Sequence, residues 1–134
     1  MNRGIPQNVK NETEYLRQQE DLKNYPRNEY TGTYKGIKWI MKRPYNTYWC
    51  GYVHTPEDRV ITKKEHKTLD GLAHGGLTGG PLGFDCSHYT DYHYKSEIGY
   101  EFTHQNATYK DYNYVYKTIC RMIDFIVDAD TKED

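Results

Sequence analysis

Residues 74–91 read HGGLTGGPLGFDCSHYTD, and no regular helix can run through them. These eighteen residues hold five glycines and a proline, together with two histidines, two aspartates and a cysteine. Glycine opens left-handed backbone conformations, and proline removes an amide donor. Such a stretch fills a core poorly and presents polar groups from a tightly bent backbone. Leu77, Leu82 and Phe84 are its apolar anchors. The remaining elements have to be arranged so that this segment is held in place.

The firmest of them is C-terminal. Tyr112, Val115, Ile119, Met122 and Ile126 recur at three- and four-residue steps, and Tyr116 and Ile123 widen the stripe, so residues 110–128 are expected to form an amphipathic helix packed across a sheet. Thr108 and Asp111 stand where its cap belongs. Upstream, Ile37, Trp39 and Met41 alternate with Lys38, Ile40 and Lys42, which predicts one strand over residues 32–43. Pro44-Tyr45-Asn46-Thr47 is turn chemistry, and residues 48–54 read as the returning strand, where Gly51 marks a bulge or a close backbone approach.

Residues 1–10 read as a loose arm. A short surface helix is expected over 11–24, with Tyr15, Leu16, Gln19 and Leu22 on its inner face and Pro26 as its stop. Residues 55–70 suit either a helix start or an exposed loop. Two further strands, 72–78 and 83–88, would flank a Gly79-Gly80-Pro81 turn, and residues 89–109 read as a long loop. The fold expected is α+β: a small antiparallel β-sheet packed against a long C-terminal α-helix, with a short N-terminal helix. Its organisation is an arm and helix over 1–30, one domain over 31–130 and a solvated tail over 131–134.

Composition narrows the function classes. Ile, Leu, Val, Met and Phe number only 25 of 134 residues, but 15 tyrosines and 2 tryptophans supply the missing apolar area. No apolar run is long enough for a transmembrane helix, so no membrane partner is expected. The first twenty residues lack the apolar core of a signal peptide. Cys50, Cys86 and Cys120 are odd in number and widely spaced, which fits a reducing cytoplasm. A net charge of −1 with no basic run gives no footprint for duplex nucleic acid.

Four features carry chemistry. In His74-Gly75-Gly76, two glycines let the backbone approach a ligand and turn amides toward an anion; the plainer reading is a glycine-rich corner. In Asp85-Cys86-Ser87-His88, strand alternation puts Cys86 and His88 on one face, as a thiolate–imidazole pair oriented by Asp91 or as two core residues. His74, Asp85, His88 and Asp91, with His93 or His54, are also candidate ligands for a divalent metal, although no HExxH-type spacing is present. Lastly, Tyr89, Tyr92, Tyr94, Tyr100, Tyr109, Tyr112, Tyr114 and Tyr116 crowd the region that follows. Beside Lys95, Lys110 and Arg121 they suit stacking on a base, and they equally suit a protein interface.

Trp49-Cys50-Gly51-Tyr52-Val53, His74-Gly75-Gly76-Leu77-Thr78 and Gly83-Phe84-Asp85-Cys86-Ser87-His88 followed by Asp91 form an ordered set. It resembles the WCGYV, HGGLT and GFDCxH motifs of a family of small, uncharacterised phage and prophage proteins. The resemblance covers about residues 32 to 128; a lysine-rich segment before His74 replaces the family's compact proline-containing loop. It implies a phage-borne accessory protein in a bacterial host cytoplasm, a class that often antagonises host defence by blocking a protein or sequestering a nucleotide signal. It implies no known reaction.

The residues favour a binding module, as a homodimer or larger homo-oligomer, that captures a small nucleotide-like ligand or a host protein. Its contact set is His74, Gly75, Gly76, Thr78, Asp85, His88, Trp49 and Tyr89. The alternative is a small hydrolase of a phosphate or nucleotide substrate, with His74, Asp85, His88 and Asp91 holding a metal-activated water or acting as acid and base. A third reading is protein–protein inhibition through the tyrosine-rich surface.

Overall fold

The computed structural model describes residues 4–78, 80, 82–104 and 106–131. Among them the fold is α+β, with three α-helices, a four-stranded antiparallel sheet and a separate two-stranded sheet. Strands β1 (Glu29–Tyr34), β2 (Ile37–Lys42), β3 (Cys50–His54) and β4 (Gly83–Asp85) pair in sequence order as a meander. The sheet begins earlier than the alternation of Ile37, Trp39 and Met41 implied. Lys35 (φ 51°) and Gly36 (φ 80°) close a two-residue hairpin that pairs Tyr34 with Ile37, so the single strand expected over 32–43 is two strands. Positive φ at both turn residues matches the right-handed twist of the strands.

Helix α3 (Tyr112–Thr131) crosses β2 and β3 and buries Val115, Ile119, Met122, Ile123 and Ile126 against Trp39, Met41, Val53 and Phe84. Each such side chain contributes about 1.5–3 kcal/mol on full burial. Gly51 does make a close approach, since a Cβ there would lie 2.5 Å from the Phe84 ring and 3.3 Å from Ile119. Asp111 is the cap of α3, its carboxylate accepting from the Tyr114 amide at 2.9 Å.

Residues 55–70 resolve into an extended lead and helix α2 (Lys63–Leu72), which packs on α3. A reciprocal capping box starts it: Thr62 Oγ1 accepts from the Glu65 amide at 3.1 Å, and Glu65 Oε1 accepts from the Thr62 amide at 3.0 Å. The strand expected over 72–78 does not form. Leu72 ends α2, and the chain turns through left-handed Gly75 (φ 68°) and Gly76 (φ 92°), a conformation no strand adopts. Of the Gly79-Gly80-Pro81 turn, Gly79 and Pro81 lie outside the described residues, as do 132–134 of the predicted tail.

Helix α1 (Glu12–Asn24) buries Glu14, Gln18 and Asp21, while Leu16 is exposed. Of the expected inner face Tyr15 does pack inward, edge-on to Tyr94, but Leu16 does not, because this helix docks chiefly through hydrogen bonds. Glu14 accepts from the Tyr109 amide at 2.6 Å, and Gln18 bridges both backbone groups of Tyr94 at 2.7 and 2.9 Å. Asp21 accepts from Trp49 Nε1 at 2.8 Å, the Tyr109 hydroxyl at 2.7 Å and the Tyr112 amide at 3.1 Å, with buried Arg43 at 3.7 Å. The stretch 89–109 is likewise no plain loop. It contains the hairpin β5 (His93–Lys95) and β6 (Tyr100–Phe102), and a second core of Tyr92, Tyr94, Ala107 and Tyr109. Ile5 and Val9 complete that core, so residues 4–10 are packed rather than loose.

Candidate functional site

Three elements converge on Asp91. The turn after α2 brings His74, the turn after β4 brings His88, and a parallel bridge between Asp91 and Thr108 draws in the residues just before α3. The Asp91 side chain is wholly buried. His74 Nε2 lies 2.8 Å from both of its carboxylate oxygens, and His88 donates to Oδ2 through its amide at 2.9 Å and through Nδ1 at 3.1 Å. The Lys110 ammonium stands 3.0 Å from Oδ1. Burial works to raise the Asp91 carboxyl, but the bonds from His74, the His88 amide and Lys110 outweigh it and hold it well below the usual carboxylate range.

The hydrogen bonds fix how the two rings are used. In its neutral form, with Nε2–H donating to Asp91, His74 accepts from the Tyr114 hydroxyl at Nδ1, 2.8 Å away. His88 rests against Gly75, where a Cβ would sit 2.4–2.7 Å from its ring atoms, so only glycine leaves room for this ring. His88 Nε2 makes no hydrogen bond among the described residues, and Asp85 Oδ1 lies 3.9 Å from it. It is the nitrogen free to take a proton, a hydrogen bond or an ion.

The sequence-derived candidates fall into three groups. His74, His88 and Asp91 come together, and their donor atoms lie within 4.8 Å of one another. Thr78 and Asp85 pair with each other at 3.0 Å, and Asp85 also accepts from the Ser87 amide, so they brace the turn beside the cluster. Gly75 and Gly76 do adopt left-handed conformations, but the amides that follow do not face a ligand. Gly76 donates to Ala73 O, and Leu77 donates to Asp70 Oδ1 at 2.8 Å, so the protein's own carboxylate fills the expected anion cradle.

Trp49 is fully buried against Asp21 and Arg43, away from the cluster. Cys86 is not a partner of His88. Strand β4 ends at Asp85, the Cys86 amide bonds Trp49 O, and burial pushes the Cys86 thiol well above its ordinary value. An unionised, enclosed thiol is a core residue rather than a nucleophile.

Beside His88 opens a cavity of about 320 Å³, lined by His88, Tyr89, Asp91, His93, Phe102 and His104 among others. Two ring stacks form its walls: Tyr89 on His104, with centroids 3.9 Å apart, and His93 on Phe102 at 4.2 Å. Burial lowers the His93 imidazole to about 4, partly offset by Asp91, so the ring is neutral near pH 7. Its buried Nδ1 has no hydrogen-bond partner among the described residues. In sequence, Lys110 and Tyr114 stand out only as part of the tyrosine-rich region suited to stacking on a base, and Phe102 and His104 do not stand out, because their roles depend on hairpin and helix placement that no local spacing encodes.

The tyrosines divide between structure and surface. Tyr92, Tyr94 and Tyr109 are buried, whereas Tyr89, Tyr100 and Tyr114 are exposed. A larger cavity of about 500 Å³ lies between β3 and α2 and includes His54, His66 and Arg59. Arg59 is already committed there, to Glu65 at 2.8 and 3.0 Å and to Asp130 at 2.7 Å. His54 thus belongs to a different surface from the His74 cluster. No described helix is long and apolar enough to cross a membrane. Comparison with protein-family models, curated proteins and solved structures finds no match to this chain.

Proposed function

We propose that the protein captures a small nucleotide-like ligand in the cavity beside His88. One observation carries this reading: a single concave site joins a preorganised imidazole–carboxylate cluster to two ring stacks, of which Tyr89, His104 and Phe102 are exposed and His93 is buried. Tyr89 and Phe102 offer faces to a planar base. His88 Nε2 offers a hydrogen bond to a polar group at the other end. The volume, near the lower limit for ligand pockets, suits a mononucleotide or dinucleotide fragment rather than a polymer. In a phage accessory protein, such a site would remove a nucleotide signal from the host.

Isothermal titration with a panel of nucleoside mono- and diphosphates tests the reading. Stoichiometric binding that weakens at least tenfold in Phe102→Ala and in Tyr89→Ala is expected. Absence of binding by the whole panel, or binding indifferent to both substitutions, would sink it.

A second reading, hydrolysis of the same ligand class, is favoured by the way Asp91 orients His88 and leaves Nε2 free, the arrangement of an activated general base. Chromatography of the ligand after incubation separates the two. Intact ligand supports capture, and product formation abolished by His88→Ala supports hydrolysis.

A further inference from the structure

The fixed charges at the His88 end of the cavity are poorly matched to a phosphate. Asp91 lines it, and Asp85 lies 3.9 Å from His88 Nε2. The Lys110 ammonium has three protons and is already within 2.6–3.2 Å of Thr108 Oγ1, Thr108 O and Thr90 O, with Asp91 at 3.0 Å. A phosphate entering here would therefore come near two carboxylates and find Lys110 already committed.

The same atoms are arranged as a ligand set for a cation. His74 Nε2 and His88 Nδ1 stand 2.8 and 3.1 Å from Asp91 Oδ2. Ligands held ~2.0–2.2 Å from one ion at right angles are ~2.8–3.1 Å apart, so the spacing suits one ion once each ring turns its nitrogen from the carboxylate onto it. Two imidazoles and one carboxylate on one side of an ion leave its remaining positions open.

We infer that His74, His88 and Asp91 form a binding site for one divalent first-row transition-metal ion, open on the side of the cavity. That this ion meets the ligand's phosphate rests on the capture reading above; the ion site itself does not. The surroundings suit the task. When an ion takes Nε2, the neutral His74 ring carries its proton on Nδ1 and donates it to the Tyr114 oxygen, so the hydroxyl that was a donor becomes an acceptor. His88 moves its proton from Nδ1 to Nε2, and neither change alters the proton count. Lys110 and the His88 amide keep the carboxylate in place.

The test is calorimetric titration of the full chain, stripped with chelator and dialysed, with MnCl2, NiCl2 and ZnCl2 in turn. One equivalent of at least one ion is expected to bind. His88→Ala should lower its affinity at least 100-fold, and Tyr114→Phe, which touches no ion, by about 10–100-fold. His54→Ala, outside the cluster, should leave the affinity unchanged, and circular dichroism confirms that each variant is folded. Absence of one-equivalent binding, or equal affinity in wild type and His88→Ala, overturns the site. Adenosine diphosphate added afterwards separates the two proposals. Binding that requires the ion supports the phosphate contact, and binding unchanged by chelator overturns that contact. An ion-loaded protein that binds none of the nucleotide panel refutes capture while leaving the metal centre standing.

Discussion

Replacing Asp21 with alanine should cost more stability than any single apolar truncation in the core. Its carboxylate is the shared acceptor for Trp49 Nε1, the Tyr109 hydroxyl and the Tyr112 amide, and it is the carboxylate beside the wholly buried Arg43 side chain. Each buried donor left without an acceptor costs about 1–3 kcal/mol, and an uncompensated buried charge about 3–5 kcal/mol. Arg43 keeps the carbonyls of Tyr25 and Arg27 and the Asn28 side chain, and water can enter the space that alanine leaves. The sum is therefore an upper bound, and about 4–6 kcal/mol is expected. Against a total of roughly 7–20 kcal/mol for a chain of this length, that lowers the melting temperature by about 12–20 °C. Thermal unfolding followed at 222 nm and by the fluorescence of Trp39 and Trp49 measures it, with Asp21→Asn falling between alanine and wild type. A drop of less than about 5 °C for Asp21→Ala would show that α1 is not fastened through this residue.

Three further outcomes follow from the same geometry. Gly75→Ala should cost about 2–3 kcal/mol, from a left-handed residue that gains a Cβ and from eviction of the His88 ring, and should abolish ligand binding; an unchanged melting temperature and affinity would contradict the packing. Glu65, held down to about 2 chiefly by its hydrogen bonds with Arg59, stabilises the protein above the ordinary glutamate range and loses that contribution as pH falls from about 4.3 toward 2. Glu65→Gln should therefore be less stable than wild type at pH 7 and converge on it at pH 2; a constant difference across that window would refute the assignment. Iodoacetamide at pH 8 should leave Cys86 unmodified in the native protein and label it only on unfolding, as read by peptide mass spectrometry.

Much of the fold was legible where periodicity is long or the turn chemistry is plain. The stripe from Tyr112 to Ile126 located α3, and the alternation of Ile37, Trp39 and Met41 identified β2 correctly. Polar docking was not legible. Glu14, Gln18 and Asp21 look like solvent-facing residues in sequence, and only the backbone groups of Tyr94 and Tyr109 and the donors of Trp49, Tyr109 and Tyr112 give them a reason to be buried. The Thr62–Glu65 capping box was present in the letters, yet the polar, strongly charged stretch around it left a helix start and an exposed loop equally open. At the site, His74, His88 and Asp91 could be nominated because they cluster in one bent stretch. Phe102 and His104 could not, and the contacts of Lys110 and Tyr114 to this cluster were not foreseen, since these residues arrive from elements that only tertiary pairing brings alongside.

The most direct check on ligand capture beside His88 is a map of backbone amide shifts in a ¹⁵N-labelled sample, recorded with nucleoside diphosphate and one equivalent of divalent ion. The largest changes should fall at His88, Tyr89, His93, Phe102 and His104, which line one cavity. Changes concentrated instead at His54, Arg59 and His66 would place the ligand in the larger cavity between β3 and α2 and contradict the site proposed here.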